Sequence, residues 1–289
     1  MKNCVIALGY FDSIHIGHRY LLSKGKELAI QYKTELLPIT FDDGFLSALG
    51  RNESEIYLLN ERKLLLKEMG INYIFSFPIE KEFLNKTKEN FLEYIASFCP
   101  KVVVIGKDYR FGKNALGTFT DAINFFSKLK IKVEIVELIK VNEEKVSSTQ
   151  IRKYLQVGDI EKANNFLGES FFYSGFVEHG RAYGHLLGFP TINIKIPKYK
   201  IRIRRGVYKT KILYNNRKYL SITNVGEHPT FNDTIFNIET HILDFDKNIY
   251  GSFVRIEFDM FLREIIKFES ETDLIKQIQK DILIVRGCK

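Results

Sequence analysis

The chain has 289 residues and a mass of 33.7 kDa, enough for two domains at about 100–200 residues each. Hydrophobic residues at 45% and charged residues at 27% exclude a disordered chain and supply apolar material for two cores, and the 6 prolines exclude a collagen-like or Pro-rich chain. A net charge of +8, spread over both halves, weakly favours anionic ligands, nucleotides or nucleic acid, without choosing between them.

In chain order, the N-terminus lacks a full signal-peptide core, because Asp12 and His15 follow a short apolar stretch. No apolar run is long enough to span a membrane. Cys4, Cys99 and Cys288 are scattered and odd in number, which supports neither a disulfide framework nor a zinc knuckle. A cytoplasmic location is expected. The first half alternates apolar strands, Val5–Leu8, Leu36–Thr40, Tyr73–Phe77, Val102–Ile105 and Val133–Val136, with helix-like segments, Arg19–Tyr32, Glu55–Met69, Lys88–Phe98 and Thr118–Leu129. That alternation predicts an α/β domain with a doubly wound parallel sheet buried on both faces. From Tyr173 the pattern changes to short alternating segments, Ile192–Ile196, Tyr208–Leu213, Tyr219–Val225, Phe236–Leu243 and Phe253–Phe258, which predict a small antiparallel β-barrel. Thr272–Val285 reads as a terminal amphipathic helix with Leu274, Ile275, Ile278 and Ile282 in one stripe. The expected domains are residues 1–168 and 169–289.

Residues 9–18, Gly9-Tyr10-Phe11-Asp12-Ser13-Ile14-His15-Ile16-Gly17-His18, leave the first strand and open the first helix. An open α/β sheet binds ligands at the carboxyl ends of its strands, and a helix N-terminus favours phosphate. Two imidazoles flanking a glycine add N–H donors for charge developing on a transferred phosphoryl group, and Gly17 lets backbone approach a nucleotide. The alternative is a pair of surface histidines at a helix start; a metal site lacks a third ligand at usual spacing. Ser147-Ser148-Thr149-Gln150-Ile151-Arg152 is a hydroxyl-rich helix start with an arginine one turn in, well suited to triphosphate oxygens, with a plain capping segment as the alternative. Gly106-Lys107-Asp108-Tyr109-Arg110-Phe111-Gly112 ends the fourth strand, and Phe111 is a candidate either to stack on a flat ring or to sit in the core.

His-x-Gly-His after Gly-x-Phe-Asp resembles the nucleotidyltransferase superfamily, and the two further stretches resemble the FMN-adenylyltransferase module of prokaryotic bifunctional riboflavin kinase/FAD synthetases. The second half is similar to the riboflavin kinase module of the same family: Gly188-Phe189-Pro190-Thr191-Ile192-Asn193 is followed in order by Gly206-Val207-Tyr208, Asn224-Val225-Gly226-Glu227-His228-Pro229-Thr230-Phe231, Glu239-Thr240-His241 and Tyr250-Gly251. The resemblance covers nearly the whole chain. It implies phosphorylation of riboflavin by ATP to FMN, then adenylylation of FMN to FAD with release of pyrophosphate. The partners implied are small-molecule substrates, ATP, riboflavin and FMN, with no membrane or nucleic-acid partner. By resemblance, His15 and His18 bind ATP phosphates and stabilise the adenylyl transition state. Gly9, Phe11, Asp12, Gly17, Ser148, Thr149 and Arg152 contact the nucleotide, and Asp108 and Phe111 position flavin. In the second module, Gly180, Gly184 and Gly188 approach phosphates, Thr191 and Asn193 serve the Mg²⁺-nucleotide, and Glu239 is the kinase base. Thr191 and Asn193 are two residues apart, hence on one strand face, and Mg²⁺ takes few protein ligands. Taken alone, Glu239 reads as a solvated strand glutamate on a face with Asn237 and His241.

The chain departs from the family pattern at Ser13 (usually glycine), Ile192 (alanine), His185 (arginine) and in the segment after Phe41, which lacks its usual prolines. A neutral imidazole at His185 lacks the guanidinium fork for phosphate. Between Lys195 and Arg205, 6 of 11 residues are Lys or Arg, which reads as a solvated flap in preference to an RNA-binding patch. These features leave two other readings open: a flavin-sensing paralogue with little catalysis, and retention of one activity alone.

Overall fold

The computed structural model describes residues 3–137, 139–179, 187–229 and 234–287. Gly180, Gly184 and His185 lie outside the described residues. Two compact units divide the chain, Met1–Ser148 and Thr149–Lys289.

In the first unit the strands are β1 (Val5–Leu8), β2 (Leu36–Phe41), β3 (Phe75–Phe77), β4 (Val102–Gly106) and β5 (Lys132–Val136). The main helices are α1 (Ile16–Gln31), α2 (Phe45–Ala48), α3 (Leu59–Glu68), α4 (Lys81–Leu84), α5 (Lys88–Ala96) and α6 (Phe119–Lys128). All five strands are parallel, in the order β3-β2-β1-β4-β5. Strand order reverses between β1 and β4, an order in which right-handed crossovers, the general rule, place helices on both faces of the sheet. β1, β2 and β4 read as unbroken apolar runs because both faces are covered; every residue of β1 is buried. The core joins Ile6, Leu8, Ile39, Val103 and Ile105 to a ring cluster including Phe77, Phe91 and Phe126. A hairpin of β6 (Lys140–Val141) and β7 (Glu144–Lys145) turns through Asn142 and Glu143, both left-handed.

The second unit opens with two helices, α7 (Ser148–Val157, whose first residue belongs to the first unit) and α8 (Ile160–Leu167). Its strands are β8 (Phe172–Phe176), β9 (Thr191–Lys195), β10 (Gly206–Tyr214), β11 (Arg217–Pro229), β12 (Thr234–Ile242) and β13 (Phe253–Arg263). They form an antiparallel sheet in the order β8-β13-β10-β11-β12-β9, and a Glu178–Asn193 bridge draws its ends toward closure. Closure of this kind covers the edges that would otherwise template other chains. The interior holds a fully buried run of hydroxyls. Thr210 lies 2.8 Å from both Ser221 and Thr223, and Thr223 lies 2.9 Å from Thr240, so each hydroxyl has a partner.

Helices α7 and α8 are tied into the second unit: Asn164 of α8 donates to the Phe258 carbonyl at 2.8 Å and accepts from Phe171 N–H at 2.7 Å, while Arg204 N–H bonds the Leu155 carbonyl of α7. The terminal helix Glu271–Arg286 starts at Ser270, which caps Asp273 N–H, and is tied to β13 by Arg263, whose guanidinium grips buried Asp281 at 2.7 to 3.1 Å.

In the segment Lys195–Arg205, expected as a solvated flap, Lys195, Lys198, Arg202, Arg204 and Arg205 are exposed and Lys200 is buried. Lys200 is 1% exposed, donates to the Phe172 carbonyl at 3.1 Å and lies 5.1 Å from the Phe171 ring centroid. Arg202 covers Phe236, Arg204 covers Phe261 and pairs with Glu264, and Lys195 pairs with Glu178. Alternate residues Ile201 and Ile203 are buried, so the apolar period of the segment, masked by its charge, governs its placement.

Candidate active sites

In the first unit, the loop after β1 and the segment after β4 flank the switch point, where an open α/β sheet leaves its crevice. His15 is the N-cap of α1: its Nδ1 accepts from His18 N–H at 3.1 Å, which fixes the proton of the neutral ring on Nε2. The His15 and His18 rings stack in parallel, 3.7 Å between centroids and 6° between planes. Phe11, fully buried, meets His18 edge-on at 5.2 Å. Burial pushes the His15 imidazole down to about 4 against the pull of Asp12, and burial with the neighbouring His15 pushes His18 well down too. Both rings are therefore neutral N–H donors at pH 7, aimed from a helix N-terminus where phosphate is favoured. His18 Nδ1 is buried without a hydrogen-bond partner among the described residues.

The space left by Gly17 is filled by this pair itself. A Cβ there would stand 3.0 Å from His15 Cε1, so the glycine admits the His15 ring before it admits any nucleotide. At Gly9 a Cβ would meet the Phe11 ring at 2.6 Å. Asp12 is 1% exposed and accepts the Ser148 hydroxyl at 2.6 Å; Ser13 lies 2.8 Å from the same hydroxyl. The structure thus joins residues 9–18 to Ser148. Thr149 and Arg152 follow on α7 in the second unit, and Arg152 is buried.

Asp108 is half exposed and paired with Lys145 at 2.8 Å. Phe111 is 4% exposed and lies roughly parallel to both Phe91, at 5.2 Å, and Tyr109, at 6.2 Å, so its ring belongs to the core. Half-buried Tyr109 is the more accessible aromatic of that segment. Sequence reasoning missed an aromatic group at the ends of β1 and β2: Phe41 stacks on Phe45 at 3.9 Å, and Tyr10 lies 4.9 Å from Phe45. The available signal was the four-residue spacing of Phe41 and Phe45. The segment after Phe41 is held by fully buried Arg62, which bonds Thr40 Oγ1 at 2.8 Å and Asp43 at 3.1 Å, and Glu55 accepts Gly44 N–H at 2.7 Å.

The depressed His15 value makes a stability prediction. Its folded value lies below the unfolded 6.5, so the unfolded chain binds the extra proton and stability falls as pH drops from about 6.5 through about 4. The loss at low pH is about 3 kcal/mol for this group. Denaturant unfolding of the full chain between pH 7.5 and 4.5 should show it. The His15→Asn variant, which keeps a capping acceptor, should have a flatter profile than the parent.

In the second unit, β9 and β12 pair with Asn193 opposite Glu239 and Thr191 opposite His241, which places all four on one face. Thr191 donates its hydroxyl to Glu239 Oε1 at 2.7 Å, so its own oxygen presents only lone pairs outward. Asn237 Nδ2 donates to Asn193 Oδ1 at 2.7 Å. His241 Nδ1 lies 2.8 Å from the Pro190 carbonyl, with Phe189 edge-on at 5.6 Å, which pins the Gly-Phe-Pro-Thr segment to β12. Gly188 sits at φ +83°, a left-handed conformation that glycine adopts without strain. Ile192, on the opposite face of β9, is buried in the barrel. Neutral oxygens beside one carboxylate form a donor set suited to a hard cation that keeps most of its waters. Among the described residues, no group of three or more His, Cys, Asp or Glu could hold a metal ion.

The FAD synthetase family profile matches residues 1–150, and that of riboflavin kinase matches residues 167–288. The chain belongs to the bifunctional riboflavin kinase/FMN adenylyltransferase family. The Listeria monocytogenes bifunctional riboflavin kinase/FMN adenylyltransferase is 31% identical over 96% of this chain and 90% of its own length. The protein of that name from Buchnera aphidicola of Acyrthosiphon pisum is 32% identical over 99% of this chain and 93% of its own. A solved structure from Streptococcus pneumoniae, described as a macrolide-efflux protein, superposes with a TM-score of 0.89 at 29% identity over 100% of this chain and 95% of that one. Among the described residues here, no helix is long and apolar enough to cross a membrane. With both domains present, the chain is a transferase of FAD biosynthesis, acting through FMN.

Proposed function

We propose that each unit carries its own reaction, with the residue roles as follows. The second unit transfers the γ-phosphoryl group of ATP to the 5′-hydroxyl of riboflavin. Glu239 accepts the hydroxyl proton through Oε2, because Oε1 is engaged by Thr191. Thr191 and Asn193 hold Mg²⁺, which when bound neutralises charge on the phosphates. Asn237 and His241 keep that face rigid by fixing Asn193 and the Pro190 carbonyl.

The first unit transfers AMP from ATP to the phosphate of FMN, with pyrophosphate leaving. His15 and His18 donate N–H bonds to phosphate oxygens as neutral rings, so they stabilise developing charge without a proton transfer. Ser148 adds a phosphate contact. Tyr10, Phe45 and Tyr109 offer flat surfaces to the isoalloxazine ring, with Phe41 packed beneath Phe45. The observation that carries this reading is the coexistence of the two constellations, the stacked neutral histidines after β1 and the Thr191–Glu239 pair on β9 and β12.

The intact pairing at both sites favours two activities over a sensor or a single surviving reaction. Three cations of the basic run, Lys200, Arg202 and Arg204, are engaged with rings or carboxylates of this chain, which favours small-molecule substrates over nucleic acid. A cytoplasmic location suits the ATP supply and the free cysteines, Cys4 and Cys99. The test is a time course with riboflavin, ATP and Mg²⁺, separating riboflavin, FMN and FAD by chromatography, with a parallel reaction started from FMN. FMN followed by FAD is expected. FMN without FAD sinks the adenylyltransferase roles, and bound flavin without product sinks both.

A further inference from the structure

Ser13 lies between two left-handed neighbours, Phe11 at φ +54° and Ile14 at φ +41°. Such conformations are strained by about 1–3 kcal/mol for residues of this bulk and persist only where surrounding contacts over-determine them. Specific contacts hold this segment. Tyr57 N–H donates to the Asp12 carbonyl at 2.7 Å, His15 caps α1, and both Asp12 and Ser13 reach Ser148. Ser13 is 0% exposed, and its hydroxyl bridges 135 positions of chain to the Ser148 hydroxyl at 2.8 Å.

Proton counting fixes the direction of this chain of groups. Ser148 has one hydroxyl proton and donates it to Asp12 Oδ1 at 2.6 Å. Toward Ser13 it can therefore only accept, so Ser13 is the donor. The order is Ser13 O–H to Ser148 Oγ, then Ser148 O–H to Asp12. A hydroxyl that accepts one bond is a stronger donor in the next, and its oxygen is held from two sides. When a phosphate oxygen competes with Asp12 for the Ser148 proton, Ser13 keeps the Ser148 oxygen in place.

We propose that Ser13 is a positioning residue for adenylyl transfer, acting on ATP affinity only through Ser148. This rests on the reading of Ser148 as a nucleotide contact. The experiment uses the full chain and follows FAD formation from FMN at varied ATP, with FMN formation from riboflavin as an internal control. Ser13→Ala should raise the KM for ATP in FAD formation about three- to tenfold, the worth of one hydrogen bond, and leave riboflavin kinase kinetics unchanged. Ser148→Ala should raise it at least as much, and the double variant should be no worse than Ser148→Ala, because Ser13 has then lost its acceptor. Ser13→Cys, of similar size with a weak donor, should fall between parent and alanine.

Additive effects in the double variant would overturn the proposal. So would an Ser13→Ala KM within about twofold of the parent while Ser148→Ala raises it. A loss of turnover that merely tracks the folded fraction, read by near-UV circular dichroism, would mark Ser13 as structural and overturn it too. Should Ser13→Ala not fold, Ser13→Cys carries the same cycle with Ser148→Ala. An unchanged KM in Ser148→Ala identifies the other failure, that of the Ser148 assignment itself, which also removes the proposal.

Discussion

Replacing Glu239 with glutamine should lower riboflavin kinase turnover by about 10²–10⁴-fold, the usual contribution of a positioned general base. The substitution is nearly isosteric. It keeps an oxygen to accept the Thr191 hydroxyl, which Glu239 Oε1 now accepts at 2.7 Å, so β9 and β12 should stay in register. What disappears is the capacity to take the proton of the ribityl hydroxyl. The effect should therefore fall on turnover with little change in the KM for riboflavin, and the melting temperature should move little. FAD formation from supplied FMN should persist at the parent rate, because Glu239 and the His15–His18 pair belong to different compact units. Kinase turnover that survives within a few-fold would remove Glu239 from the role of base and leave it as the partner that orients Thr191.

The elements legible in the sequence were those with a single dominant cause. β1 coincides with the expected Val5–Leu8 because a strand covered on both faces shows an unbroken apolar run. The expected strand at Tyr73 shrinks to Phe75–Phe77 because β3 is an edge strand and Tyr73 is 46% exposed. Helix α3 begins at Leu59 instead of Glu55, because Glu55 is buried as an acceptor for Gly44 and Tyr57 N–H is drawn to the Asp12 carbonyl. β8 and α8 were not read. Ser174 and Gly175 interrupt the apolar pattern of β8, and the eight residues of α8 give little more than two turns of periodicity, although Asp159 and Gly168 cap it. In the sites, residues adjacent in sequence were legible as motifs: His15 with His18, Thr191 with Asn193. Links between distant positions were not, since no local pattern encodes them. Ser13 meets Ser148 and Asn237 meets Asn193 only through tertiary pairing. Phe111 illustrates the converse. Its motif suggests a stacking surface, while its packing between Phe91 and Tyr109 uses the ring to build the core beneath that surface.

Removing the His18 ring should separate the two activities in the opposite sense. In His18→Ala, FAD formation from FMN should fall by about 10²–10³-fold, the range for losing one preorganised donor to a developing oxyanion. FMN formation should continue at the parent rate. The geometry argues for an effect beyond one lost bond. His18 is held between the His15 face at 3.7 Å and the Phe11 edge at 5.2 Å, so its deletion also frees His15 to tilt from its capping position. His18→Asn restores a side-chain donor without the stack, and should recover only part of the rate. Because both rings are held neutral by burial, the parent's FAD-forming rate should show no step near the ordinary histidine value of about 6.5. A rate that rises on acidification through that value would mean imidazolium acts at the phosphates, and the neutral-donor account would fail. Loss of FMN formation along with FAD formation in His18→Ala would instead report a folding defect that reaches both units. FAD formation within a few-fold of the parent would take His18 out of the transition state altogether.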